Sequence, residues 1–391
     1  MGKLASGSEA SIRDIQQDRT AFRSCMRRGA LAALFVVACA QAGFGAEATF
    51  PDLAAAATTA RQANNVEQAI ALYRQALAVN SSWTEGWWFL GTLYYDSDQY
   101  PAGKDAFSHF VKLDERAAAG WALLGLCEFE TGDVAAALDH VRRAMQSPSD
   151  VPALMHDVLR FHEALLLTRL GQFHEAARVY TALIARGLRD PNLITGLGLN
   201  ELGRPLLPRE VVSDEKELVA AAGRTAWAWS QGSPQDAEEA FQKLLTTFPD
   251  APGVHYFYGS WLLRDHPEQA VKEFQRELQI NPRNARARTM LALMMAHGGN
   301  AAAALPEAKK ASEDEPSASM AQYVYGLLLT QSGDVRGIAY LQAAEKLDPA
   351  DLENHTALAS AYSKFGRYED ARRERQAAID MARQADSGEQ K

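Results

Sequence analysis

Apolar positions return along most of this chain at helical rather than strand spacing. Trp87, Leu90, Gly91 and Tyr94 fall on one face of a helix, and Gly103 and Phe107 answer them on the next. No segment alternates apolar and polar residues for long enough to make a strand, so the pattern predicts helices throughout. The same face recurs, because Trp121, Leu124 and Gly125 stand 34 residues after Trp87, Leu90 and Gly91. One helix pair cannot bury such a face alone, whereas a second pair stacked on it can, so stability grows by neighbour contacts.

Running that register along the chain gives nine candidate units. The first, about 50 to 83, keeps Ala69, Tyr73 and Ala76, and two more follow at 84 to 117 and 118 to 151. A fourth, about 157 to 190, reads Gly171, Ala176 and Tyr180; a fifth, about 218 to 250, has Gly232, Ala237, Phe241 and Pro249. From there Pro249, Pro282, Pro316 and Pro349 set the beat, each marking a helix stop because proline cannot continue a helix. The ninth unit, about 352 to 385, carries Tyr362, Gly366, Tyr368, Ala371 and Ala378. Its second helix, with Arg372, Arg373, Glu374 and Arg375, is charged enough to be the polar end that a stack of repeats needs.

Trp-x-x-Leu-Gly at 87–91 and 121–125, followed in the first case by Tyr94, a small residue and an aromatic, resembles the tetratricopeptide repeat. The resemblance implies an all-α fold, a right-handed α-solenoid of about nine helix pairs. It places Trp87, Leu90, Gly91, Trp121, Leu124, Gly125, Ala176, Tyr180, Ala237 and Phe241 at helix-packing positions. It also implies a concave groove lined by the first helix of each unit, where this chain has Trp88, Tyr95, Phe129, Phe161, Trp229, Tyr256 and Tyr323. The family's carboxylate clamp uses lysine, asparagine and arginine there; Trp88, Thr92, Ala119 and Leu126 do not reproduce it. A groove rich in rings suits an apolar or extended peptide instead.

The domains expected are a leader over 1–46, a first block of about four repeats over 47–190 and a second of about five over 218–385. Between the blocks, 191–217 reads as a connector or degenerate helix; its glycines lack the strand and the G-x-G-x-x-G spacing of a nucleotide site. Residues 386–391 are expected to fray.

Met26-Arg27-Arg28 leads into an apolar stretch from Gly29 to Ala38, the order of a secretory signal, with small-residue cleavage sites at Ala40-Gln41-Ala42 and Ala46-Glu47-Ala48. The stretch is short for a membrane span of about 20 residues. Val36-Val37-Ala38-Cys39 resembles the lipobox of bacterial lipoproteins, which makes Cys39 a candidate for lipidation. Translation could start at Met1 or at Met26. The pattern predicts an exported protein, periplasmic or attached to the cell envelope, with any membrane link through this N-terminal segment.

Of the three cysteines only Cys127 lies beyond that segment, so no disulfide within the mature chain is expected, and Cys127 reads as a small buried hydrophobe. The whole chain carries a net charge of −9 and the part after residue 46 is more acidic still, which disfavours nucleic acid as a partner. His162-Glu163 and His174-Glu175 each begin like H-E-x-x-H, but Leu166 and Arg178 stand where the second histidine should be. No catalytic set, metal site or cofactor motif emerges, so an enzyme is not expected. The function expected is an adaptor or scaffold that holds a partner protein or peptide in its groove. The alternative is a self-associating solenoid, or an accessory subunit of an envelope or polysaccharide-handling complex.

Overall fold

The computed structural model describes residues 48–146, 151 and 153–388. The basic pair, the apolar stretch, Cys39 and the first cleavage site lie outside the described residues. Among those described, the regular elements are nineteen α-helices and two short 3-10 turns, paired antiparallel as in a repeat solenoid, and no helix is long and apolar enough to cross a membrane.

The described residues divide into two compact units, one running to Leu166 and including Ala185–Asp190, the other made of Leu167–Ile184 and the residues from Pro191 onward. In the first, α1 (Phe50–Gln62) pairs with α2 (Val66–Val79), α3 (Thr84–Asp96) with α4 (Tyr100–Leu113) and α5 (Ala118–Thr131) with α6 (Val134–Met145). Helix α7 (Ala153–Arg169) begins in this unit. The second unit holds α8 (Phe173–Ala185), α9 (Pro191–Glu201), α10 (Lys216–Ser230), α11 (Pro234–Thr247), α12 (Val254–Leu262) and α13 (Pro267–Ile280). It continues with α14 (Ala285–His297), α15 (Ala301–Asp314), α16 (Ser319–Gln331), α17 (Gly337–Leu347), α18 (Leu352–Lys364) and α19 (Tyr368–Gly388).

Most residues at the expected helix-packing positions are buried. A Cβ on Gly91 would stand 2.7 Å from the ring of Phe107, and one on Gly125 3.1 Å from the Ala137 carbonyl, so both glycines let the second helix come close. Leu90, Leu124, Ala176, Tyr180, Ala237 and Phe241 are buried, Trp121 is 8% exposed, and Trp87 is half-buried. A still closer crossing joins the expected connector to the second block: α9 and α10 meet at Gly198 and Gly223, where a Cβ would fall within 2.0 Å of the facing backbone.

The turn inside most of the helix pairs repeats too. Gly132, Gly171, Gly232, Gly299, Gly333 and Gly366 all adopt φ between 76° and 88°, which favours glycine; the same turn in the first two pairs holds Asn64 and Asp98, the residue types that best tolerate it. The prolines act as stops: α11, α13, α15 and α17 end two residues before Pro249, Pro282, Pro316 and Pro349. The corner that follows is closed by a side chain six residues on, which donates to an otherwise unpaired carbonyl. Trp87 reaches Ser81 O and Trp121 reaches Glu115 O, both at 2.9 Å; Arg288 reaches Pro282 O at 2.6 Å and Gln322 reaches Pro316 O at 3.3 Å. His255 and His355 stand 2.8 and 3.1 Å from the carbonyls of Pro249 and Pro349. The repeat thus conserves a donor at this place rather than a residue type.

Candidate functional site

In the first unit, the first-helix face is half-buried at its start. On α3, Trp88, Thr92 and Tyr95 are spaced i, i+4 and i+7, so they form one stripe, and each is half-buried. Trp88 rests against the rings of Phe107 and Phe110 on α4, at 5.9 and 5.1 Å, and Tyr95 meets Tyr100 edge-on. Helix α1 carries Ala54, Thr58 and Arg61 at the matching places, also half-buried. Arg61 lies 3.8 Å over the ring of Phe89 and donates to the Tyr73 hydroxyl. Further along, the face closes: α5 is buried from Gly120 to Phe129, and Phe129 and Phe161 are each only 7% exposed, with His162 against both rings.

A second feature of this unit was not visible in the sequence. An open cleft of about 480 Å³ runs between α2 and α4, with Trp87, Leu90 and Tyr94 of α3 as its floor and Arg74 and Asp105 among its walls. Trp87 is held there flat on the imidazole of His109, 4.3 Å between ring centres.

The second unit puts its three candidate rings in different settings. Trp229 is 40% exposed and belongs to an aromatic group with Phe241 and Phe257, at 6.4 and 6.1 Å. Tyr256 is half-buried under the guanidinium of Arg286, 4.2 Å from its ring, and Phe173 of α8 lies on the same guanidinium at 4.9 Å. Arg286 also donates to the carbonyls of Asn200 and Glu201 at the end of α9. Tyr323 is half-buried between two apolar clusters, and burial, with Glu353 and Asp351 nearby, pushes its hydroxyl up to about 12. Beside it α8 meets the corner between α17 and α18: Arg178 makes a bidentate pair with Asp348, at 2.6 and 2.7 Å, and the Asp348 side chain is wholly buried. Of the seven candidate rings, Phe129 and Phe161 are therefore buried, while the other five are half-buried or exposed.

Two groups could offer three ligand atoms to a cation, His174 with Asp348 and Asp351, and Glu345 with His355 and Glu374. Four of the six residues have other partners. Asp348 holds Arg178, Asp351 caps α18 by accepting from the Glu353 and Asn354 amides, and both nitrogens of His355 face acceptors. His162 Nδ1 lies 2.7 Å from the Val158 carbonyl, the ordinary setting of a helical histidine. Cys127 is wholly buried, and burial, with Glu128 and Glu130 nearby, pushes its thiol up to about 12, so it stays protonated and inert at neutral pH. The arrangement as a whole offers aromatic and apolar surface for contact.

The family model of the tetratricopeptide repeat matches residues 54–98, 89–151 and 263–312. These stretches are tetratricopeptide repeats. Such repeats bind proteins or peptides and generally serve as non-catalytic scaffolds. Among solved structures, MamA from Desulfovibrio magneticus RS-1 is 19% identical, with 43% of this chain and 97% of that one covered and a TM-score of 0.36. YrrB, described as a TPR protein with an unusual peptide-binding site, is 20% identical, with 43% and 89% covered and a TM-score of 0.32. No curated protein sequence matches the chain.

Proposed function

We propose that this tetratricopeptide-repeat protein is a non-catalytic adaptor of the bacterial cell envelope that holds a partner protein or an extended peptide on the first helices of its opening repeats. The observation that carries the reading is the half-buried stripe of Trp88, Thr92 and Tyr95 on α3, continued on α1 by Ala54, Thr58 and Arg61. Large rings with few torsions give much contact area at small entropic cost, and they dominate the energetics of most interfaces. The corresponding face of α5 is already buried and has little left to offer a partner. The envelope location rests on the signal-like residues 26–48 and on the lipobox-like Val36 to Cys39.

A photo-reactive amino acid at Thr92 tests the reading. It should crosslink to one discrete partner in envelope fractions, and Trp88→Ala should weaken capture by about 2 kcal/mol, roughly thirtyfold. Because Trp88 also packs on Phe107 and Phe110, the same change should cost about 1 to 2 kcal/mol of stability, so binding is read per folded molecule. Crosslinks only to a second copy of the chain would replace the adaptor by the self-associating solenoid.

A further inference from the structure

Repeat corners in the second unit share one construction, and three of them add a second contact. The side chain that meets the proline carbonyl also reaches a carboxylate on the following helix: His255 to Glu273 at 2.6 Å, Arg288 to Glu307 at 2.6 Å and His355 to Glu374 at 2.7 Å. Arg288 makes its two contacts as a permanent cation with several N–H groups. His255 and His355 fill the same seat with a ring that can lose a proton. Their side chains are only 13% and 6% exposed, so water is a poor substitute for either partner.

The geometry fixes the protonation state that suits the seat. In His255, Nδ1 faces Glu273 and Nε2 faces the Pro249 carbonyl at 2.8 Å; in His355, Nδ1 faces Glu374 and Nε2 faces the Pro349 carbonyl at 3.1 Å. Carbonyls and ionised carboxylates only accept. A neutral imidazole has one N–H, so whichever nitrogen loses its hydrogen turns a lone pair towards an oxygen. The imidazolium alone serves both contacts.

We propose that His255 and His355 are pH-sensitive locks on the corners that open α12 and α18, closed while the ring is charged and released when it loses its proton. The charged groups facing them reinforce the closed state. From α13, Glu273 and Glu277 face His255; from α19 and α17, Glu374 and Glu345 face His355. The hydrogen bond that the His255 ring donates to Glu273 is the largest influence on it and outweighs its burial, so the ring holds its proton above the ordinary value of 6.5. For His355 burial opposes the charge, and the Glu374 hydrogen bond, the Pro349 carbonyl and the carboxylates together overcome it, again raising the value above 6.5. A group whose folded pKa is raised stabilises fully below its unfolded value, and that stabilisation is lost as pH rises through the folded pKa. The second unit is therefore tightest in mildly acidic medium and loosens at these two corners towards alkaline pH.

Histidine-ring 15N NMR on the full chain, with the two rings assigned through His255→Gln and His355→Gln, reads the lock directly. Both rings should carry two N–H groups at pH 6.5 and titrate above that point. As they titrate, hydrogen exchange corrected for its intrinsic pH dependence should rise in Val254–Leu262 and Leu352–Lys364, by about tenfold for each unit of pKa shift. The double variant His255→Arg/His355→Arg, which copies the Arg288 corner, should remove that pH dependence. Neutral rings at pH 6.5, or protection in these helices that does not follow the ring titration in the wild-type chain, would overturn the proposal whether or not the double variant folds.

Discussion

Trp87 does two jobs on different parts of one side chain: its ring lies flat on His109 and floors the cleft, while its indole N–H closes the corner at Ser81 O. The two can be separated. Trp87→Phe keeps a ring and removes the donor; since Ser81 is exposed and water can reach its carbonyl, the expected cost is about 0.5 to 1 kcal/mol. Trp87→Ala removes both and should cost about 2 to 4 kcal/mol, less than a fully buried tryptophan because the ring is half-buried. Urea denaturation of the two variants measures the difference, and equal losses would mean that the hydrogen bond, not the ring, holds the corner. The packing role of Trp87 and Gly91 was legible in the sequence because their partners lie within one 34-residue period. The fate of Phe129 and Phe161 was not: whether a ring on the first-helix face stays open depends on what packs over that helix, and a local repeat does not encode it.

Elements far apart in the chain meet through a few charged side chains. Helix α8 is the second helix of the fourth expected repeat, and its Ala176 and Tyr180 are buried. Its other face does something no repeat pattern announces: Arg178 pairs with Asp348, 170 residues on, and Phe173 shares Arg286 with Tyr256. The only hint in the sequence is a charge at Asp348 where the side chain turns out to be buried, and burial of a charge becomes visible only with its partner. Removing one member of such a pair leaves the other uncompensated. Arg178→Ala should therefore cost about 3 kcal/mol, at the low end of the range for a broken buried pair because Arg178 is 38% exposed and water can approach Asp348 once it is gone. Asp348→Asn, which removes the buried charge itself, should cost less. Hydrogen exchange should rise in Phe173–Ala185 for Arg178→Ala and much less for Asp348→Asn; the reverse order would show that the pair is not what holds α8 to that corner.

Over the whole chain, basic and acidic residues are unevenly distributed. Residues 1–46 hold six basic and three acidic groups around the apolar stretch from Gly29 to Ala38, and the remainder holds 34 basic and 46 acidic. In stacked repeats each helix pair is stabilised by its neighbours, and α19 packs through Ala371 on Leu358 and Tyr362 of α18. Basic residues before an apolar run, with small residues after it, are the order that the proposed export requires. The full-length gene expressed in a Gram-negative host should give a product processed between Ala38 and Ala48, read by mass spectrometry of the intact protein. Processing just before Cys39, with lipid labelling that Cys39→Ser abolishes, identifies a lipoprotein; a new N-terminus after Ala42 or Ala48, with no labelling, identifies a plain signal peptide. An intact Met1 on protein recovered from the cytoplasm would sink both, and with them the envelope as the place where the Trp88 face meets its partner.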